Sequence, residues 1–230
     1  MALAQVAAAT NVSANGYTTT IDTASRTLGS GSQRGLVAVV MGTSTNSSID
    51  SVKFDPGGGN ERTFTALGQS GGPLGDPRVR IFYLVNPPAG ASGIFRVALS
   101  GPNAFQGGIC VTEWTGMDQS TPMDGFTGTG VINSPGPSIN VTSRVGDIVV
   151  DGIYATDDVG AAGGGQSEQL NVTLTAPADG LASSTKAGAA SVSMSWTINA
   201  YLVLVGASIR ATVADNAVPP LLMQLKRLRG

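Results

Sequence analysis

The chain contains no histidine and one cysteine in 230 residues. Without histidine, the Ser-His-Asp and Cys-His arrangements that activate a nucleophile are excluded, and so are zinc sites that use imidazole. A single cysteine makes neither an intrachain disulfide nor a thiolate-only metal site. Cys110 stands in the apolar run Gly-Ile-Cys-Val-Thr at 108–112, where it reads as a small buried hydrophobe. Charge is also scarce: 12% of residues are Asp, Glu, Lys or Arg, with a net charge of −2, which leaves no basic footprint for nucleic acid or an acidic membrane. Aromatic residues are 5%, too few for an exposed sugar-stacking row. No apolar run approaches the ~18–20 residues that a membrane-spanning helix needs. The opening Met-Ala-Leu-Ala-Gln-Val-Ala-Ala-Ala-Thr has no basic residue before Arg26 and is broken at Gln5, so no export signal is expected.

Glycine, by contrast, is abundant at 32 residues, and together with Pro, Asn and Ser it punctuates short apolar segments. Ser-Val-Ser-Met-Ser-Trp-Thr-Ile at 191–198 alternates strictly, so Val192, Met194, Trp196 and Ile198 face a core while the small polar residues face water. Further strands are predicted over 17–21, 36–41, 49–54, 63–67, 79–85, 94–99, 109–114, 139–141, 147–154 and 170–174. Residues 79–85 and 94–99 read as a hairpin around Asn86-Pro87-Pro88-Ala89-Gly90, and 191–198 as a closing hairpin with 201–210. A long loop is expected from 115 to Pro137, and a mobile or draped loop over 160–165, with no fixed internal repeat. The fold class is all-β: a two-sheet antiparallel β-sandwich, jelly-roll-like, with an N-terminal arm and a C-terminal tail. The expected division is an arm and first strand over 1–25, the sandwich over 26–212 and a docking tail over 213–230.

That tail changes character. After Pro219-Pro220 comes Leu-Leu-Met-Gln-Leu-Lys-Arg-Leu-Arg-Gly, in which Leu221, Leu222, Met223, Leu225 and Leu228 would leave much apolar surface in water. These five, with Arg227 and Arg229 pairing to acidic rims, are the expected partner-docking residues. Three basic residues (Lys226 is the third) beside five apolar ones fit protein docking better than nucleic acid.

With histidine absent, acid–base chemistry would fall to carboxylates. Glu113 and Asp118 flank Trp114, but Glu113 is opposite in phase to Trp114, so the pair does not share one cleft. Asp118, Asp124, Asp157 and Asp158 lie in turns without any calcium-loop spacing, and Asp118 is expected to cap its own turn. No metal or cofactor is expected. Trp196 reads as core, whereas Trp114 ends its strand at a loop and is the candidate glycan contact.

The stretch Arg80-Ile-Phe-Tyr-Leu-Val-Asn-Pro-Pro-Ala-Gly90, then Val111-Thr-Glu-Trp-Thr-Gly-Met-Asp-Gln-Ser-Thr-Pro122, and the late Ser193–Trp196 strand before 201–209, resemble a β-sandwich module of bacterial surface proteins and tailed-phage virion proteins. The match runs in motif order over roughly 30–210. The resemblance implies an architectural or adhesive role without a shared catalytic set. Its capsid cement or decoration type implies a homotrimer made in the host cytoplasm and placed on the virion, bound to the major capsid protein or other virion subunits. The other role it implies is a glycan-binding adhesin that uses Trp114 and the loop 115–130.

Overall fold

The computed structural model describes residues 2–18, 20–44, 48–72, 77–100, 105–175 and 178–212. Among these residues every regular element is a β-strand, and every pairing is antiparallel. The first half carries β1 (Ala4–Gln5), β2 (Thr10–Thr18), β3 (Thr20–Asp22), β4 (Arg26–Thr27), β5 (Gly35–Ser44), β6 (Ser48–Asp55), β7 (Arg62–Thr63), β8 (Thr65–Gly71), β9 (Arg78–Val85), β10 (Ser92–Ser100) and β11 (Phe105–Thr115). The second half carries β12 (Met123–Gly128), β13 (Ile132–Pro135), β14 (Ser138–Thr142), β15 (Ile148–Ala155), β16 (Ser167–Thr173), β17 (Gly180–Ala187), β18 (Ser191–Ser195) and β19 (Asn199–Ile209).

The expected antiparallel β-sandwich is present, and it occurs twice. In the first half an inner sheet β11-β5-β9-β8, with β1 and β2 on β11, packs against an outer sheet β3-β10-β6-β7. In the second half an inner sheet β19-β15-β17-β16, with β12 and β13 on β19, packs against an outer pair β14-β18. Strand for strand and in chain order, β5, β8, β9, β10 and β11 correspond to β15, β16, β17, β18 and β19. Even the bulge recurs, between Ala66 and Gly68 on β8 and between Glu168 and Leu170 on β16. A repeat of topology is therefore built into a chain whose sequence shows none, because the core accepts any apolar side chain of suitable size at each inward position.

The two inner sheets pack face to face, so the molecule is four layers deep with three apolar cores. On β5, Leu36, Ala38 and Val40 enter the outer core of the first half, while Val37, Val39 and Met41 enter the central one. On β19, Leu202 and Leu204 face the outer core of the second half, and Val203, Val205, Ala207 and Ile209 the central one. Burial on both faces explains why the inner strands read as continuous apolar runs, whereas β14 and β18 of the outer layer alternate. The halves meet like the protomers of a two-fold pair. Gly68 of β8 faces Phe126 of β12, and Gln169 of β16 accepts a hydrogen bond (2.8 Å) from Gln5 of β1. At the centre β15 crosses β5 at Gly152, where a Cβ would overlap the Val39 side chain.

Several expectations change. The N-terminal segment is not an arm outside the sandwich: β1 and β2 are edge strands on β11, and β3 pairs with β10. The expected loop 115–137 contains β12 and β13, which have no clean alternation because they cover the edge of β19. β18 does not form a hairpin with β19; it pairs with β14, and the chain changes layers after Trp196. The glycine-dense loop 160–165 lies on the free edge of β18. Gly163 N–H donates to Ser195 O (2.8 Å), Thr197 N–H donates to Ala161 O (3.0 Å), and Gly160 N–H donates to Thr197 O (2.8 Å).

Candidate functional site

At one end of the molecule, a groove of about 540 Å³ opens where the described chain finishes. Its floor is the turn 144–147 between β14 and β15, closed by the Asp147 N–H to Arg144 O bond (3.1 Å) and by Gly146 at φ +94°. One wall is Ile148 with Ala187 and Gly188 at the end of β17, and the other is Ala2, Leu3, Ala211 and Thr212. Val145 at the turn's tip is 90% exposed, the most exposed of the large apolar side chains among the described residues. The exit of the chain is fixed. Ala211 N–H donates to Asp147 Oδ1 (2.8 Å), and Thr212 donates to Gly116 O through both N–H (2.8 Å) and Oγ1 (2.7 Å). A smaller polar recess of about 90 Å³ adjoins it, lined in part by Asp124, Asp147 and Arg210, with Arg210 paired to Asp124 at 2.8 Å.

The side chains that sequence reasoning considered for chemistry are engaged elsewhere. Glu113 is fully buried, and its carboxylate is held by Arg34 (2.6 Å), Arg26 (3.1 Å) and the Gly29 N–H (3.0 Å). It fastens residues 26–34 to β11. Asp118 closes its own turn by accepting from Ser120 N–H (2.8 Å), Ser120 Oγ (2.7 Å) and Thr121 N–H (2.9 Å), as expected. The Thr121 N–H bond above all holds its carboxyl below the usual carboxylate range. Asp124 is spent on Arg210, and Asp157 accepts from the Asp158 N–H. No group of three or more metal-capable side chains occurs among the described residues. Cys110 is buried, and burial pushes its thiol up to about 12, far from a reactive thiolate.

Trp114 is 3% exposed and its indole N–H donates to Thr112 Oγ1 (2.9 Å), so in this fold it presents no face on which a sugar could stack. The strand end that suggested a loop-side position is covered by the second half of the chain, which a single-sandwich reading did not contain. Trp196 is core, as expected. The tail residues Leu221, Leu222, Met223, Leu225, Arg227, Leu228 and Arg229 lie outside the described residues.

Sequence reasoning missed a polar centre between β15, β17 and β18. Asp151, fully buried, accepts from Ser184 N–H (2.6 Å), Ser184 Oγ (2.8 Å) and Trp196 Nε1–H (2.8 Å). Gln166 donates to Ser184 Oγ (2.8 Å) and accepts from Ser195 N–H (2.8 Å), tying the glycine loop to the same centre. Burial pushes the Asp151 carboxyl up to about 7 against the pull of these donors. Its signal was available: a carboxylate stands inside the apolar run Ile-Val-Val-Asp-Gly-Ile-Tyr at 148–154. Asp151 is fully buried and lines neither of the two recesses described above, and its bonds join β15 to β17 and to Trp196. No family model matches the chain, and neither a curated protein nor a solved structure does.

Proposed function

We propose that this chain is a structural protein of a tailed-phage virion, of the capsid cement or decoration type, which strengthens a shell through intersubunit contacts. The observation that carries the reading is the chain's exit. The apolar-basic segment beginning at Leu221 follows a point, Thr212, that is clamped beside an open groove on an otherwise self-contained sandwich. The family resemblance supports it, as does the use of Glu113 and Asp151 for internal bonding, which makes the chain non-enzymatic in this reading. Its partners are the major capsid protein or other virion subunits, and its assembly is a homotrimer. Leu221, Leu222, Met223, Leu225 and Leu228 are the anchors and Arg227 and Arg229 the pairing charges. Burial at ~25 cal/mol per Å² supplies the attraction, less the cost of ordering the tail.

Deleting 219–230 tests this. The truncated chain should keep the strand signature in circular dichroism and lose at least tenfold in association with purified shells. Undiminished association would remove the docking role from the tail.

A further inference from the structure

We infer that the groove formed by Leu3, Val145, Ile148, Ala187 and Ala211 is the seat for the segment 221–228 of a second copy of this chain. The inference deepens the docking role given to the tail and rests on it, naming the surface that receives it. The groove is largely apolar, and its tip residue Val145 is 90% exposed. A volume of about 540 Å³ is of the size that encloses a compact group of side chains. The segment that supplies such side chains is the same chain's Leu221, Leu222 and Met223, with Leu225 and Leu228 behind them.

The spacing argues for exchange between copies rather than return to the same groove. Thr212 is itself part of the groove wall and is held through both its N–H and its hydroxyl, so the tail starts at the rim. The nine steps from Thr212 to Leu221 span at most roughly 30 Å, long enough to set the anchors in a neighbour's groove. Seating them in a groove walled by Thr212 itself requires the same short segment to fold back on its start. Each copy then offers one groove and one tail, a heterologous contact that closes into a ring such as a trimer.

The test uses the purified chain without any shell. Full-length protein should sediment as an oligomer. The form ending at Thr212 and the full-length Val145→Asp/Ala187→Asp form, both altered only at exposed positions or beyond the sandwich, should each sediment as monomers. Mixing those two should restore a complex, because one keeps its groove and the other its tail. Failure of the mixture to associate overturns the inference. So does a full-length monomer in which a labelled 213–230 peptide binds only the truncated form, the pattern of a tail seated on its own subunit. Shell binding is measured separately, so a chain that exchanges tails yet ignores shells keeps this inference and loses the virion role.

Discussion

At the scale of single residues, the chemistry-bearing groups act as fasteners, and Asp151 has a measurable consequence. Its carboxyl is raised from an unfolded value near 3.8 to about 7 by burial. The folded state therefore binds more protons than the unfolded state between those limits, and stability must fall as pH rises through that window. Asp179, raised by burial and opposed by its bond from the Tyr154 hydroxyl, acts in the same direction. Asp118, lowered by its turn bonds, works the other way, but it sits near the surface where solvent weakens the effect. Urea midpoints measured from pH 8 to pH 5 should rise on acidification. Asp151→Asn should flatten that slope and cost ~1–3 kcal/mol at pH 5, because its amide cannot accept from both Ser184 and Trp196. An unchanged slope would show that the carboxyl titrates normally. Asp151 was legible as a charge inside an apolar run; its partners Ser184, Trp196 and Gln166 were not, since they come from β17, the residue following β18 and a loop that only the fold brings to one point.

At the scale of elements, among the described residues the outer layer of the second half has no counterpart of the strand that β6 supplies in the first. β10 has partners on both edges, β3 and β6, whereas among the described strands β18 pairs with β14 alone. The glycine loop 160–165 covers the vacant edge, and Lys186 Nζ caps Ser193 O at 3.1 Å, so the edge offers little to another strand. A Cβ at 163 would overlap Ser195 Oγ, so a larger residue there has to displace that hydroxyl or the loop. Gly163→Ala should lift the loop, cost ~1–3 kcal/mol, and speed amide exchange at Ser195 and Thr197. Exchange rates equal to those of the parent chain would show that the loop does not protect the edge. The sequence marked this loop by composition, but glycine density reads equally as slack or as close approach. Only the position of β18 selects the second.

At the scale of the whole molecule, the two half-chain sandwiches share the central core, so neither is complete without the other. Val37, Val39, Met41, Val79 and Ile81 of the first half pack with Val150, Tyr154, Val203 and Val205 of the second. Unfolding should therefore be one transition, with calorimetric and van't Hoff enthalpies equal. Gly152→Val, placed where β15 crosses β5, should cost ~1–3 kcal/mol and lower that single transition by a few degrees. Two transitions, of which only one moves, would show that the halves fold independently.

Strand periodicity, glycine punctuation and the missing histidine were enough to determine an all-β chain, most of its strand positions and the exclusion of whole classes of catalysis, because these depend on local geometry and on residue identity alone. The number of layers, the internal duplication, the burial of Trp114 and Glu113, and the groove at the chain's exit were decided by tertiary structure. Each depends on which apolar face meets which. An inward-facing valine carries no mark of the sheet it will touch, so that choice is made only when the two inner sheets close on one another.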